Sequence, residues 1–213
     1  MIGSQKGFFV TLEGIDGSGK STLAKNIQFY LQKKNIPHRL TAEPTQNDIG
    51  KLIRRMLKQS KQDSLHSLTE LFLFSADRTL HIQEMIQFLN QGIWVICDRF
   101  IDSTLAYQGR DEKLLKIVYT IGEVLFDLLK PNITILLDIE PEHSLHRIDG
   151  REKDFYEQIT YLRQVRERYL EQAMDEKSRI KVINGNQHPE TVADLAIRAI
   201  NEAQGQLISA RRI

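Results

Sequence analysis

The residues best suited to chemistry lie near the N-terminus, in the segment Gly14-Ile15-Asp16-Gly17-Ser18-Gly19-Lys20-Ser21. A glycine, four further residues and Gly-Lys-Ser have the spacing of a phosphate-binding loop when a strand precedes them and a helix follows. An apolar run at residues 8–12 and a helical pattern after Ser21 provide that setting. Backbone N–H groups of such a loop point at phosphate oxygens, while Lys20 reaches the terminal phosphates and Ser21 holds Mg²⁺. A connecting turn without function is the alternative, but spacing and setting together predict a nucleoside-triphosphate site.

Asp98 directly follows the clearest later strand pattern, residues 93–97. In a parallel sheet its carboxylate would lie at the same edge as the phosphate loop, where a carboxylate orients Mg²⁺ or its water shell. The alternative is an aspartate that caps the next helix or pairs with Arg99. We expect the metal role.

Asp16 places a carboxylate inside the phosphate loop itself. A negative charge beside a bound polyphosphate is unfavourable unless it faces another group. A sugar hydroxyl of a second substrate is one such group, and capping of the loop's own amides is the alternative.

Several arginines are candidates for phosphate binding, because a planar guanidinium matches phosphate in a bidentate fashion that lysine cannot reproduce. Arg99 follows the strand-end Asp98, two others lie on predicted helices, and a further two flank a glycine in a broken helical segment. Most arginines are solvated surface residues, so these candidates are distinguished only by their positions after predicted strands, on predicted helices or beside a glycine. The full set is Arg54, Arg78, Arg99, Arg147 and Arg151.

Phe74 and Arg78 are four residues apart and therefore share one helix face. The ring could stack on a base while the guanidinium donates to its carbonyl groups. The alternative is a core phenylalanine beside an ordinary surface arginine, and periodicity alone favours that alternative.

The elements that position these residues alternate between strand and helix. Apolar runs predict strands at residues 8–12, 38–41, 93–97, 133–137 and 179–183. Helical patterns between them predict an α/β fold with a five-stranded parallel sheet and helices on both faces. Ligands of such sheets bind at the carboxyl ends of the strands. Because no repeat or linker divides the chain, we expect one domain over residues 1–213.

Three helical segments carry more specific expectations. Residues 68–89 are rich in apolar side chains, Phe72 and Leu80 among them, and are predicted to form a long buried helix. Residues 163–177 are rich in charge and are expected to form a solvated face with ion pairs inside the helix. Residues 205–213 show little pattern and are expected to fray.

Composition narrows the function class. The 213 residues include 29 basic and 28 acidic side chains, and this balance argues against a nucleic-acid partner. A single cysteine excludes an intrachain disulfide. The short polar N-terminus lacks a signal pattern, and the longest apolar runs are too short to span a bilayer. We expect a cytoplasmic protein without a membrane partner.

From Phe9 to about Ala203 the sequence resembles the thymidylate kinases, a P-loop family of nucleoside-monophosphate kinases. The phosphate loop is shared with many NTPases. The specific resemblance lies in residues 13–22 together with Glu43-Pro44, Asp98-Arg99-Phe100 and the segment Ser103-Thr104-Leu105-Ala106-Tyr107-Gln108-Gly109. The resemblance implies a P-loop NTPase fold, transfer of the γ-phosphoryl group of ATP to dTMP with Mg²⁺, and a homodimer that is expected to form through the second and third helices.

The resemblance also implies roles for individual residues. Arg99 and Arg54 would hold the acceptor phosphate, and Asp16 would contact the acceptor sugar. Phe74 would stack on thymine, Arg78 would bond its carbonyl edge, and Tyr107 would occupy the place of a ribose 2′-hydroxyl. Thr104 and Gln108 would also face the base, and Asn186 and Gln187 would lie near adenine. The loop residues implied to bind ATP are Gly14, Ile15, Asp16, Gly17, Ser18, Gly19, Lys20, Ser21 and Thr22, with Ser21 and Asp98 at the metal.

The catalytic arginine is implied to come from a short helical lid at about residues 142–157, because the phosphate loop itself carries none. Arg147 and Arg151 are the two candidates, beside Lys20 and Arg99. One segment departs from the family pattern: Ala42-Glu43-Pro44-Thr45-Gln46 replaces the usual Arg-Glu-Pro-Gly-Gly. An arginine is therefore missing near the expected acceptor phosphate.

Two other functions are also consistent with the sequence. The nearest is a kinase of the same fold that acts on another nucleoside monophosphate. The second is a nucleotide-dependent switch, although a GTP switch would carry Asn-Lys-x-Asp after a strand and this sequence has no such motif.

Overall fold

The structure of the chain, a computed structural model, describes residues 7–59, 67–109, 112–148 and 159–210. Within those ranges strands and helices alternate as the sequence predicts. In chain order they are β1 (Phe9–Glu13), α1 (Lys20–Lys33), β2 (His38–Ala42), α2 (Asp48–Gln59), α3 (Ser67–Asn90), β3 (Trp94–Asp98), α4 (Ile101–Gln108), α5 (Glu112–Leu128), β4 (Ile133–Asp138), α6 (Pro141–Ile148), α7 (Ile159–Asp175), β5 (Ile180–Asn184) and α8 (Pro189–Ala210).

The sheet is parallel throughout, with the strand order β2-β3-β1-β4-β5. This confirms the predicted α/β class and the five-stranded parallel sheet. β1 lies at the centre, where it pairs Leu12 with Asp98 of β3 on one side and Ile135 of β4 on the other. The carboxyl ends of β1 and β3 are therefore adjacent, so the phosphate loop and the segment after Asp98 meet at one edge of the sheet.

Alternate strand residues are buried on opposite faces of the sheet. One face packs Val10, Leu12 and Ile96 against helices α1 and α8. The other packs Phe9 and Val95 against helices α3, α4 and α5. Because both faces are covered, the central strands are buried along nearly their whole length and are mostly apolar, as is usual for parallel strands.

Three helical expectations need correction. Phe72 and Leu80 of α3 are 54% and 49% exposed, so this helix is not buried all round. Charged side chains of α7 bond mainly to other elements, as Arg166 does to Asp138 and Glu140. The C-terminal segment continues α8 to Ala210 instead of fraying from residue 205.

The predicted lid falls partly outside the described residues. Helix α6 covers its first part, and residues 149–158, including Arg151, lie beyond the described ranges. Among the described residues, no helix combines the length and the apolar character that a membrane span requires. The single domain over residues 1–213 remains a prediction.

Candidate active site

The phosphate loop curves around a cavity of about 670 Å³ at the carboxyl edge of the sheet. Gly14 has a φ of +134°, and a Cβ there would lie 2.6 Å from the carbonyl oxygen of Leu137, so only glycine fits. Gly19 adopts a left-handed conformation at the start of α1. The cavity is lined by most of the loop residues predicted to bind triphosphate: Asp16, Gly17, Ser18, Gly19, Lys20, Ser21 and Thr22.

Gly14 and Ile15 have a different part in the loop. Their carbonyl oxygens each accept a hydrogen bond of 2.9 Å from Lys20 Nζ, and neither residue lines the large cavity. Burial, reinforced by the nearby charge of Arg99, lowers the pKa of Lys20 to about 8. Burial thus disfavours the charged form of Lys20, and the negative charge of a bound polyphosphate would stabilise that charged form.

Ser21 and Asp98 meet across the cavity floor. Ser21 Oγ donates to Asp98 Oδ2 at 3.1 Å, and the Asp98 carboxylate forms no ion pair with Arg99 among the described residues. A hydroxyl and a carboxylate oxygen are hard ligands of the kind that Mg²⁺ prefers, so these two residues fit that ion. Just before helix α4 the Phe100 backbone N–H donates at 2.7 Å to Oε1 of Glu13 and not to Asp98.

Arg99 lies between the phosphate loop and a second, smaller cavity. Its backbone has a φ of +73°, a strained conformation for a side chain of this size. Its Nη2 donates to Asp16 Oδ1 at 2.5 Å, and its guanidinium lies 4.9 Å from the centre of the Tyr107 ring. Asp16 thus faces a cation of its own chain in this structure, a partner that the sequence analysis did not suggest.

A buried cluster behind Arg99 was missed by the sequence analysis. Glu13 is fully buried, and its Oε2 accepts hydrogen bonds from Ser103 Oγ at 2.6 Å and Tyr169 OH at 2.9 Å. Arg99 Nη1 donates to the same Ser103 hydroxyl at 3.3 Å. Glu13 could have been identified in the same way as Asp98, because it also is a carboxylate at the end of a buried strand. No sequence pattern singles out Tyr169 within its charge-rich helix.

Burial and the nearby charge of Asp102 raise the pKa of Glu13 to about 7. The folded protein then binds more protons than the unfolded chain between the ordinary pKa of a glutamate and about 7, so stability falls as the pH rises through that window. We expect the Glu13→Gln variant to gain about 1–3 kcal/mol relative to the parent between about pH 5 and pH 8. Urea unfolding of both proteins across that range measures the difference.

The matched control for this prediction is Glu171→Gln, which neutralises an exposed glutamate on α7. Its difference from the parent is expected to stay constant with pH. Parallel pH profiles of the Glu13→Gln variant and the parent would contradict the raised pKa.

The second cavity has a volume of about 210 Å³ and adjoins the first at Arg99. Arg78 forms one wall, with only 1% of its surface exposed, so the interpretation as an ordinary surface arginine is wrong. Its Nε donates to Glu43 Oε2 at 2.6 Å and its Nη1 to Thr104 Oγ1 at 2.5 Å. The predicted acceptor residues that line this cavity are Asp16, Arg54, Phe74, Arg78, Arg99, Thr104, Tyr107 and Gln108.

The segment that departs from the family pattern has its own bonding scheme. Thr45 donates its backbone N–H and its hydroxyl to Asp77, at 2.7 and 2.6 Å. Arg54 donates to the carbonyl oxygens of Pro44 and Thr45 and to the Gln46 side chain. These side chains therefore order the loop at which Arg54 enters the second cavity.

Arg147 and the loop after β5 close the far side of the large cavity. Arg147 Nη2 donates to the carbonyl oxygen of Gly185 at 3.0 Å, and Arg147 and Gln187 both line the cavity. Asn186 is exposed and does not line it. Helix α6 is joined to the phosphate loop by a hydrogen bond from Ser144 Oγ to the Asp16 carbonyl.

The phosphate loop lies at the centre of a parallel sheet, and Arg99 lines both its cavity and the adjoining second cavity. This arrangement defines the class of P-loop nucleotide kinases. The family model described as thymidylate kinase matches residues 12–196. The chain belongs to the thymidylate kinase family.

Curated relatives agree with the family match. A thymidylate kinase of Carboxydothermus hydrogenoformans is 40% identical over 195 residues, which cover 88% of this chain and 93% of that protein. The thymidylate kinase of Symbiobacterium thermophilum is 38% identical, covering 91% of this chain and 92% of its own. The Ligilactobacillus salivarius thymidylate kinase is 35% identical, with 92% and 98% covered.

Proposed function

We propose that this chain transfers the γ-phosphoryl group of ATP to dTMP, giving dTDP and ADP. The observation that carries the proposal is the junction of the two cavities. Both are lined by Asp16, Glu43 and Arg99, so nucleotides bound in the two cavities would bring their phosphates together at Arg99. Membership of the thymidylate kinase family supplies the substrates that such a junction would join.

The donor half of the site is the phosphate loop. Its backbone amides and Lys20 would hold the β- and γ-phosphates of ATP. Ser21 and Asp98 would hold Mg²⁺, directly or through its water shell, and the ion would supply charge neutralisation at the phosphate oxygens. Gln187, with the neighbouring Asn186, would lie beside the adenine.

The acceptor half needs no strong general base, because the phosphate of dTMP is already an oxyanion. Arg99 and Arg54 would orient that phosphate and reduce its repulsion with the donor phosphates. The Asp16 carboxylate holds Arg99 in place and is near enough to the second cavity to contact the acceptor sugar. Arg147 and Arg151 are our candidates for the lid arginine that neutralises charge in the transition state.

The base would lie deepest in the second cavity, on the Phe74 ring. Arg78 is held through Nε by Glu43 and through Nη1 by Thr104, and no described residue accepts from its Nη2. That nitrogen is a donor suited to a base carbonyl. Gln108 lines the same wall.

A panel of nucleoside monophosphates with ATP tests the proposal. We expect dTMP to be phosphorylated with the highest kcat/KM. Preference for another monophosphate would favour the related kinase function, and slow ATP hydrolysis without any acceptor would favour a nucleotide-dependent switch.

Tyr107 is expected to select deoxyribose. Its ring is buried beside Arg99, and its carbonyl oxygen accepts from Tyr161 OH. Replacement of Tyr107 by alanine would open the space for a 2′-hydroxyl, and we expect the preference for dTMP over its ribonucleotide analogue to fall about 10-fold. The ratio of the two kcat/KM values measures this. Tyr107→Phe keeps the ring and is expected to keep the preference, whereas equal ratios in the parent and the alanine variant would contradict the role.

We further propose that the protein is a cytoplasmic homodimer without a nucleic-acid partner. The exposed Phe72 and Leu80 lie on α3, one of the two helices expected at the dimer contact, and their apolar surface would be buried there. Sedimentation equilibrium of the parent and of a Phe72→Glu variant tests the contact. A dimer in both would place the contact elsewhere.

A further inference from the structure

Gln108 is oriented by a carboxylate from outside the second cavity. Its Nε2 donates to Glu70 Oε1 at 3.1 Å, and both side chains are buried, with exposed fractions of 3% and 2%. Glu70 lies on α3 one turn before Phe74 and does not line the cavity, whereas Gln108 does. The contact joins helices α3 and α4 behind the cavity wall.

This contact decides which end of the Gln108 amide is available to a ligand. An ionised carboxylate only accepts hydrogen bonds, so it selects the amide nitrogen as its partner and turns the amide oxygen away. Among the described residues, no donor reaches Gln108 Oε1, and that atom is not sealed in the protein interior. The cavity wall therefore presents an acceptor at Gln108 and, at Arg78, a donor.

A donor beside an acceptor matches one edge of a pyrimidine. Thymine shows a carbonyl oxygen at position 4 and an N–H at position 3, whereas cytosine shows an amino group and an unprotonated nitrogen there. Arg78 would donate to the carbonyl and Gln108 would accept from the N–H. With cytosine, the Arg78 donor would face the amino group, also a donor, and the Gln108 acceptor would face the unprotonated nitrogen, also an acceptor. The resulting unpaired buried polar groups would be costly.

We propose that Glu70 is a specificity-determining positioning residue, which fixes the Gln108 amide so that the site accepts thymine and rejects cytosine. The inference rests on the proposed function, because the base must lie against Gln108. Glu70 itself does not contact the substrate. Its effect is transmitted through the direction of one amide group.

The test compares dTMP and dCMP as acceptors in the Glu70→Gln variant. A glutamine at this position can offer its own amide N–H to Gln108 Oε1, so the Gln108 amide is free to reverse. We expect the ratio of kcat/KM for dTMP to that for dCMP to fall about 10-fold or more. The change is expected mainly in KM, because the amide binds the base far from the transferred phosphoryl group.

A reciprocal variant separates this role from a structural one. In Glu70→Gln with Gln108→Glu, the carboxylate at position 108 can only accept, whichever group lies behind it. The double variant is expected to recover the preference for dTMP that the single variant loses. If Glu70 merely joined α3 to α4, the single variant would lose activity equally with both acceptors and the double variant would recover nothing.

Glu84→Gln is the matched control, because it removes an exposed carboxylate from the same helix. The ratio of its kcat/KM for dTMP to that for dCMP is expected to equal that of the parent. An unchanged ratio in Glu70→Gln overturns the proposal while leaving the kinase function intact. Failure of the parent to phosphorylate dTMP would instead overturn the proposed function, and calorimetric binding of dTMP and dCMP would then show separately whether the base contact exists.

Discussion

Replacement of Arg99 by alanine is expected to lower kcat for phosphoryl transfer to dTMP by about 10³-fold or more. Arg99 is the only arginine that lines both cavities among the described residues, and its guanidinium already lies against the Asp16 carboxylate. Two bound nucleotides would bring several negative charges to this point. Without the guanidinium, that repulsion would oppose the approach of the two phosphates and the transition state would lose its central cation.

ATP binding is expected to persist in the Arg99→Ala variant, because Lys20 and the loop amides remain. Kinetics with dTMP and calorimetry with ATP alone measure the two effects separately. Arg99→Lys keeps the charge without the planar fork and is expected to recover only part of the activity. Arg198→Ala, which changes an exposed arginine on α8, serves as the control. Full activity in Arg99→Ala, or its failure to fold, would count against the assignment.

Replacement of Lys20 by methionine is expected to lower kcat about 10²- to 10³-fold. The same change is expected to remove a pH dependence of stability. Because the pKa of Lys20 in the folded protein is about 8 and its ordinary value is 10.5, the unfolded chain binds more protons between the two values. Stability of the unliganded parent therefore rises with pH across that window, and methionine abolishes the rise.

Steady-state kinetics and urea unfolding above about pH 8 test the two parts of the Lys20 prediction. Lys25→Met, on the exposed side of the same helix, is the control and should change neither. A Lys20→Met protein that retains both the rate and the alkaline rise in stability would contradict the role of this cation.

The phosphate loop could be predicted because all of its parts are consecutive in the chain. A strand, a loop that needs glycine at Gly14 and Gly19, and a helix that begins at Lys20 are local properties of the sequence. The rule that parallel strands end at one sheet edge then brought Asp98 and Arg99 to the same place. The same rule applied to Glu13 and Glu43 would have identified two further carboxylates of the site.

Predictions from the sequence were wrong where a helical pattern does not specify what packs against a given face of the helix. Arg78 lies four residues after Phe74, and periodicity cannot tell whether that face meets solvent, another helix or a cavity. In the structure Glu43, 35 residues away, holds its guanidinium in the interior. For the same reason the exposure of Phe72 and Leu80 was not foreseen, because apolar character fixes no packing partner.

By itself, then, the sequence determined the α/β fold, the triphosphate loop and the strand-end residues, since each depends on neighbours in the chain or on the common direction of parallel strands. Only the tertiary structure decided which polar groups meet: Arg99 with Asp16, Tyr169 with Glu13, and Glu70 with Gln108. These partners lie 83, 156 and 38 residues apart. Their contacts follow from how α3, α4 and α7 pack around the sheet edge, which no local pattern specifies.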